Sequence, residues 1–137
     1  MISYNKRIMT TNYPFDSLAD SAIVYRALLG KHWIDEANLV LSFAYLLRPR
    51  INEAGLSVRI ASVCSPEQCA AKFNPCYGVA SLQVGQIREL GLDAVPDSAS
   101  HAQIVGLPQV KDDRDKAERL ADLLAQRSSI VWQPSQT

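Results

Sequence analysis

The chain predicts an α+β fold: a single compact domain with a mostly antiparallel or mixed sheet and helices packed on one face. Three observations carry this expectation. Residues 112–127 place Ala117, Leu120, Ala121 and Leu124 on one helical face. Residues 56–61 alternate Leu56, Val58 and Ile60 with Ser57, Arg59 and Ala61, the period of a half-buried strand. The helical and strand-like segments interleave without a regular βαβ rhythm, which disfavours a parallel sheet. With 137 residues, of which 47% are hydrophobic and 20% charged, there is enough apolar surface for one core without a metal or disulfide staple. The expected organisation is an irregular arm over 1–16, one domain over 17–132 and a short tail over 133–137.

Taken in order, Asp16 or Ser17 can cap a helix whose Leu18, Ala22, Tyr25 and Leu29 share a face and which Gly30 closes. A strand over 22–28 competes, since that stretch is β-branched and aromatic. Residues 37–47 form a nearly continuous apolar run between Asp35-Glu36 and Pro49, readable as three helical turns or one long strand, and as core in either case. A turn at 52–55 leads to a strand over 56–63. Ser65-Pro66-Glu67-Gln68 is a capping box with proline at the first helical position, opening a short helix that Asn74-Pro75 must end. Residues 79–84 read as a strand and 86–90 as a short helix closed by Gly91. Residues 93–100 read as a polar loop, 101–107 as a strand stopped by Pro108, and 130–132 as a final strand.

Composition excludes several classes of function. Lysine plus arginine and aspartate plus glutamate each number 14, and neither half of the chain is a basic arm, so no extended nucleic-acid surface is expected. Cys64, Cys69 and Cys76 are odd in number and lack zinc-ligand spacing; reduced, packed thiols in a reducing cytoplasm are expected, and no metal. An alternative reading gives Cys64 or Cys69 a lowered pKa at the Ser65-capped helix. Residues 1–15 show no apolar stretch of signal-peptide length, and no run reaches the ~20 residues that span a bilayer, so neither export nor a membrane is expected. The glycine-rich phosphate loops, the G-x-S-x-G elbow and the H-E-x-x-H motif are all missing, and no cofactor is indicated.

The residues able to carry chemistry are few. His32 and His101 are the histidines, and His101, at the junction of a polar loop and an apolar strand, is the expected acid-base group. Arg26 lies inside an apolar segment, where its charge must be paired, reach solvent or bind an anion. With Arg48, Ser57 and Arg59 it defines a ligand-binding set for a phosphate, since the guanidinium fork matches such oxygens in pairs. Tyr25-Arg26-Ala27 resembles the strand of ADP-ribosyltransferase-like domains whose arginine or histidine contacts NAD. The match ends with those three residues: Ser57 can be nominated for that group's serine, and no glutamate has a matching context. Two functions follow as expectations. Balanced charge and the lack of a site motif favour a non-catalytic interaction or regulatory module that binds a protein partner or its own copy. The alternative is a small enzyme or ligand-binding domain with an Arg/His pocket for a nucleotide-derived or other phosphate-bearing ligand.

Overall fold

In the computed structural model, which describes residues 15–49 and 53–135, six strands form one sheet, antiparallel throughout. They are β1 Ile23–Leu28, β2 Leu56–Ile60, β3 Gly78–Gln83, β4 Asp93–Pro96, β5 His101–Val105 and β6 Ser129–Trp132, in the spatial order β4-β5-β2-β1-β3-β6. The helices are α1 Pro66–Ala70, α2 Val84–Arg88 and α3 Arg114–Arg127. The α+β class is therefore as expected.

Period-two alternation sorts the sheet into two faces. One carries Val24, Leu28, Leu56, Val58, Ile60, Ala80, Leu82, Ala102 and Ile104, all buried against Leu120, Ala121, Leu124 and Ala125 of α3 and Val84 and Ile87 of α2. Asp113 caps α3 by accepting from the Lys116 amide at 3.1 Å. At its other end Arg127 donates to the Gln86 carbonyl at 2.8 Å, tying α3 to α2. Leu124 is fully buried in this layer; Leu124→Ala is expected to cost about 2–5 kcal/mol in urea unfolding, through lost transfer energy and a cavity.

The opposite face is covered over its β1-β3-β6 half by a smaller cluster. There α1 presents Cys69 and Ala70 to Ala27 and Val79, with Cys64 beside them and Tyr25, Phe73, Cys76 and Trp132 around the edge. So one short helix packs on the face away from α3. The capping box that opens α1 is formed as expected, with Ser65 Oγ accepting from the Gln68 amide and Gln68 Oε1 from the Ser65 amide. All three cysteines are free. Burial, with the neighbouring Cys64 and Cys76 thiols, pushes Cys69 up to about 11, opposite to the lowered value that its helix position suggested. Over the β2-β5-β4 half the same face carries Ser57, Arg59, His101, Gln103 and Val105, all half-buried.

Three expectations are corrected. The helix expected from 16 to 29 does not form; the competing strand over 22–28 does, as β1, because it pairs with β3 at six successive positions and lies between two strands. Residues 37–47 are neither a long helix nor a long strand. Asp35 Oδ1 accepts from the amides of Ala37 and Leu39, Asn38 takes φ 62°, and an isolated bridge joins Ile34 to Val40. This tight reversal leads into a 3-10 turn at Ser42–Tyr45. Val40, Ala44, Tyr45 and Leu47 are core, but Leu39 and Phe43 are 61% and 50% exposed, so the run is not core throughout. Third, the loop over 93–100 contains β4. Pro96 is accommodated there because β4 is an edge strand.

The N-terminal arm up to residue 14, Arg50, Asn52 and the last two residues lie outside the described residues. Among the described residues no helix is long and apolar enough to cross a membrane.

Candidate functional site

The site begins with an interruption in the sheet. β1 is laddered to β3 over six residue pairs, whereas β1 and β2 are paired only at Val24↔Ile60 and Tyr25↔Arg59. Where that ladder stops, Arg26 takes over. Its Nε donates to the Ala44 carbonyl at 3.0 Å and its Nη1 to the Ser57 carbonyl at 3.0 Å, so one guanidinium bridges the 3-10 turn at Ser42–Tyr45 and β2. The Trp33 ring lies under it, 5.6 Å from Cζ to the ring centroid. Gly30 makes room for that ring, since a Cβ there would stand 2.6 Å from the indole Nε1.

Arg26 is 5% exposed, and burial lowers its pKa from the ordinary arginine value, with Tyr45 and Glu53 acting in the other direction and Arg48 adding to the lowering. No carboxylate contacts it among the described residues. Glu53, the acid whose field it feels, is engaged by Arg48, which donates to it from its backbone amide at 2.8 Å and from Nη2 at 2.8 Å. Arg26, Arg48 and Glu53 thus form a cluster with one net positive charge. Beside it, Gln109 is 9% exposed and donates to the Glu53 carbonyl at 2.7 Å, while its Oε1 has no partner among the described residues.

Burial raises the Glu53 carboxyl pKa, but the hydrogen bonds and charge from Arg48, with the field of Arg26, outweigh it and leave the group below its ordinary value. A depressed carboxylate contributes stability that is present above the unfolded pKa and is lost as pH falls through the folded one. Glu53→Gln is therefore expected to lower stability at neutral pH and to flatten its fall below about pH 4.5, measured by thermal unfolding across that window.

On the other face of β2, Ser57 Oγ lies 2.5 Å from His101 Nε2, and His101 Nδ1 lies 2.6 Å from Asp97 Oδ1. Register explains the first contact: Ser57 faces Gln103 and Arg59 faces His101, which makes His101 a diagonal neighbour of Ser57. The β4-β5 turn explains the second. The Asp97 and Ser98 amides both donate to the His101 carbonyl, and Ser98 Oγ accepts from the His101 amide at 3.0 Å, folding Asp97 back beside the ring. With Nδ1–H held by the carboxylate, Nε2 is free to accept from the serine hydroxyl. Gln103 Nε2 donates to the second Asp97 oxygen at 3.4 Å.

The structure therefore brings Ser57, His101 and Arg26 together, but not around one cavity of side chains. Arg26 enters from the core face and meets Ser57 through its backbone, while Ser57 and His101 meet on the opposite face. Arg48 joins the Arg26 side through Glu53. Arg59 shares the face of Ser57 and has no hydrogen-bond or ionic partner among the described residues. His32 is exposed and its ring packs against Phe43. Asp97 is the residue that sequence reasoning missed; the available signal was its position four before a histidine in a serine-rich turn. Among the described residues no group of three His, Cys, Asp or Glu side chains is placed to hold a metal. A cavity of about 600 Å³ lies elsewhere, between residues 38–43 and the end of α3, with Asp122 its single titratable lining residue. No protein-family model, curated protein or solved structure matches this chain.

Proposed function

We propose that the protein is a small ligand-binding domain that takes a nucleotide-derived, phosphate-bearing molecule at the junction of β1 and β2. The observation that carries this reading is Arg26: a buried cation at an interrupted ladder, bonded among the described residues only to carbonyls, in a cluster of net positive charge. Leaving a charge buried without a counter-ion is costly, and a bound phosphate offsets that cost. Arg26 and Arg48 supply the cationic side of the site. Gln109 Oε1 offers an acceptor for a ligand hydroxyl or amide on the same side. NAD, which carries a pyrophosphate, is the first nucleotide-derived ligand to test.

The experiment is thermal unfolding of the reduced protein against NAD, nucleotides, sugar phosphates and pyrophosphate. A ligand at 100 times its dissociation constant adds about 2.7 kcal/mol, which raises the midpoint by several degrees. A phosphate-bearing ligand is expected to give such a shift; a flat response across the panel overturns the proposal. A second reading, a protein-partner or self-association surface, rests on the exposed Leu39 and Phe43 at the rim of the 600 Å³ cavity. It predicts that the purified protein sediments as more than a monomer and that Leu39→Glu returns it to one.

A further inference from the structure

We infer that Ser57 is an activated nucleophile, with His101 as its general base and Asp97 as the positioning residue, acting on a carboxylic ester or thioester that carries an anionic substituent. The geometry is specific. Both histidine nitrogens are engaged in the order that nucleophile activation requires, Oγ to Nε2 at 2.5 Å and Nδ1 to a carboxylate at 2.6 Å; in the neutral imidazole this places the proton on Nδ1 and leaves Nε2 facing the hydroxyl. The three residues come from β2, β5 and the β4-β5 turn, and the cross-strand register holds the first two in place. A histidine whose task was only to close the turn would need Asp97 and not the hydroxyl of a separate strand. Arg59, on the same face two residues along β2 and opposite His101 in register, has no ionic partner among the described residues and is placed to attract the anionic substituent.

In the step this predicts, the Ser57 proton passes to His101 Nε2 as Oγ bonds to the acyl carbon. The bond from that carbon to the leaving oxygen or sulfur then breaks, and His101 returns the proton to the departing alcohol or thiol. Water repeats the sequence on the acyl-serine, releasing the carboxylic acid and restoring Ser57. This chemistry sits on the face of β2 opposite Arg26 and does not require a phosphate there.

The test uses diisopropyl fluorophosphate on the full chain, with mass spectrometry of the peptides. Attack by Oγ forms an oxygen–phosphorus bond, breaks the phosphorus–fluorine bond and releases fluoride and a proton. The expected result is one diisopropylphosphoryl group on Ser57 and none on the other serines, with p-nitrophenyl acetate hydrolysis lost in parallel. His101→Ala is expected to slow labelling by about 10²–10⁴-fold. Asp97 is in an exposed turn; Asp97→Asn is expected to slow labelling about 100-fold or more without moving the unfolding midpoint, with partial rescue in Asp97→Glu. Absence of label at Ser57, equal labelling of other serines, or an unchanged rate in folded His101→Ala overturns the inference. Ligand stabilisation without Ser57 labelling overturns this inference alone, and labelling without ligand stabilisation overturns the phosphate reading alone.

Discussion

Replacing Arg26 by lysine is expected to weaken binding of the phosphate-bearing ligand by about 10- to 100-fold, the factor for losing one hydrogen bond to a charged group. The shape of the guanidinium decides the outcome. Arginine spends Nε on the Ala44 carbonyl and Nη1 on the Ser57 carbonyl, and Nη2 has no partner among the described residues. Lysine carries the same charge on a single nitrogen and cannot span two carbonyls from separate segments while meeting an anion. One carbonyl left unpaired costs about 1–3 kcal/mol of folding stability, so the variant is expected to fold with a lower midpoint. A second readout separates charge from packing. Burial lowers a lysine pKa far more consequentially than an arginine one, so binding by Arg26→Lys is expected to decline as pH rises above neutrality while the parent protein holds its affinity. Calorimetric titration at several pH values, with urea unfolding of the same samples, checks both parts.

Tyr45→Ala is expected to cost about 3–5 kcal/mol of folding stability, through lost transfer energy and the cavity left behind. Tyr45 is fully buried and packs in the layer between the sheet and α3. Its hydroxyl reaches Ser128 Oγ at 2.5 Å, and burial pushes its pKa up to about 12, so it remains a neutral phenol through the physiological range. Tyr45→Phe removes only the hydrogen bond and is expected to cost about 1 kcal/mol. The two variants also differ at the site. Residue 44 supplies the carbonyl that Arg26 grips, so the cavity left by Tyr45→Ala loosens that turn and is expected to weaken ligand binding, whereas Tyr45→Phe keeps the ring and the affinity. Urea unfolding gives the two free energies, and titration of the folded fraction gives the two affinities.

The parts of the fold that could be read from the sequence are those set by local physics. α3 declares itself by period and caps, and α1 by a capping box. Gly91 declares itself by the positive φ of 82° that closes the segment after α2. What could not be read depends on contacts between distant segments. β1 carries a helical pattern as well as a strand pattern, and its pairing with β3 decides the matter. Residues 37–47 look like continuous core, but the bonds from Asp35 turn the chain and leave Leu39 and Phe43 outward. At the site, residue type and setting single out Arg26, Ser57 and His101. That Arg26 meets the Ser57 backbone and not its hydroxyl follows from the short β1-β2 ladder, which no sequence pattern encodes. Asp97 escaped notice because an acidic residue in a polar turn is ordinary until the turn folds it onto His101.

The central claim, that Arg26 receives a phosphate group, is tested most directly by following the Arg26 Nε–H resonance in a nitrogen–proton spectrum while pyrophosphate and then NAD are titrated in. The account predicts a saturable shift of that resonance, with the exposed Arg114 resonance unmoved at the same concentrations. An Arg26 resonance that stays fixed through both titrations, in protein shown to be folded by the rest of the spectrum, would contradict it.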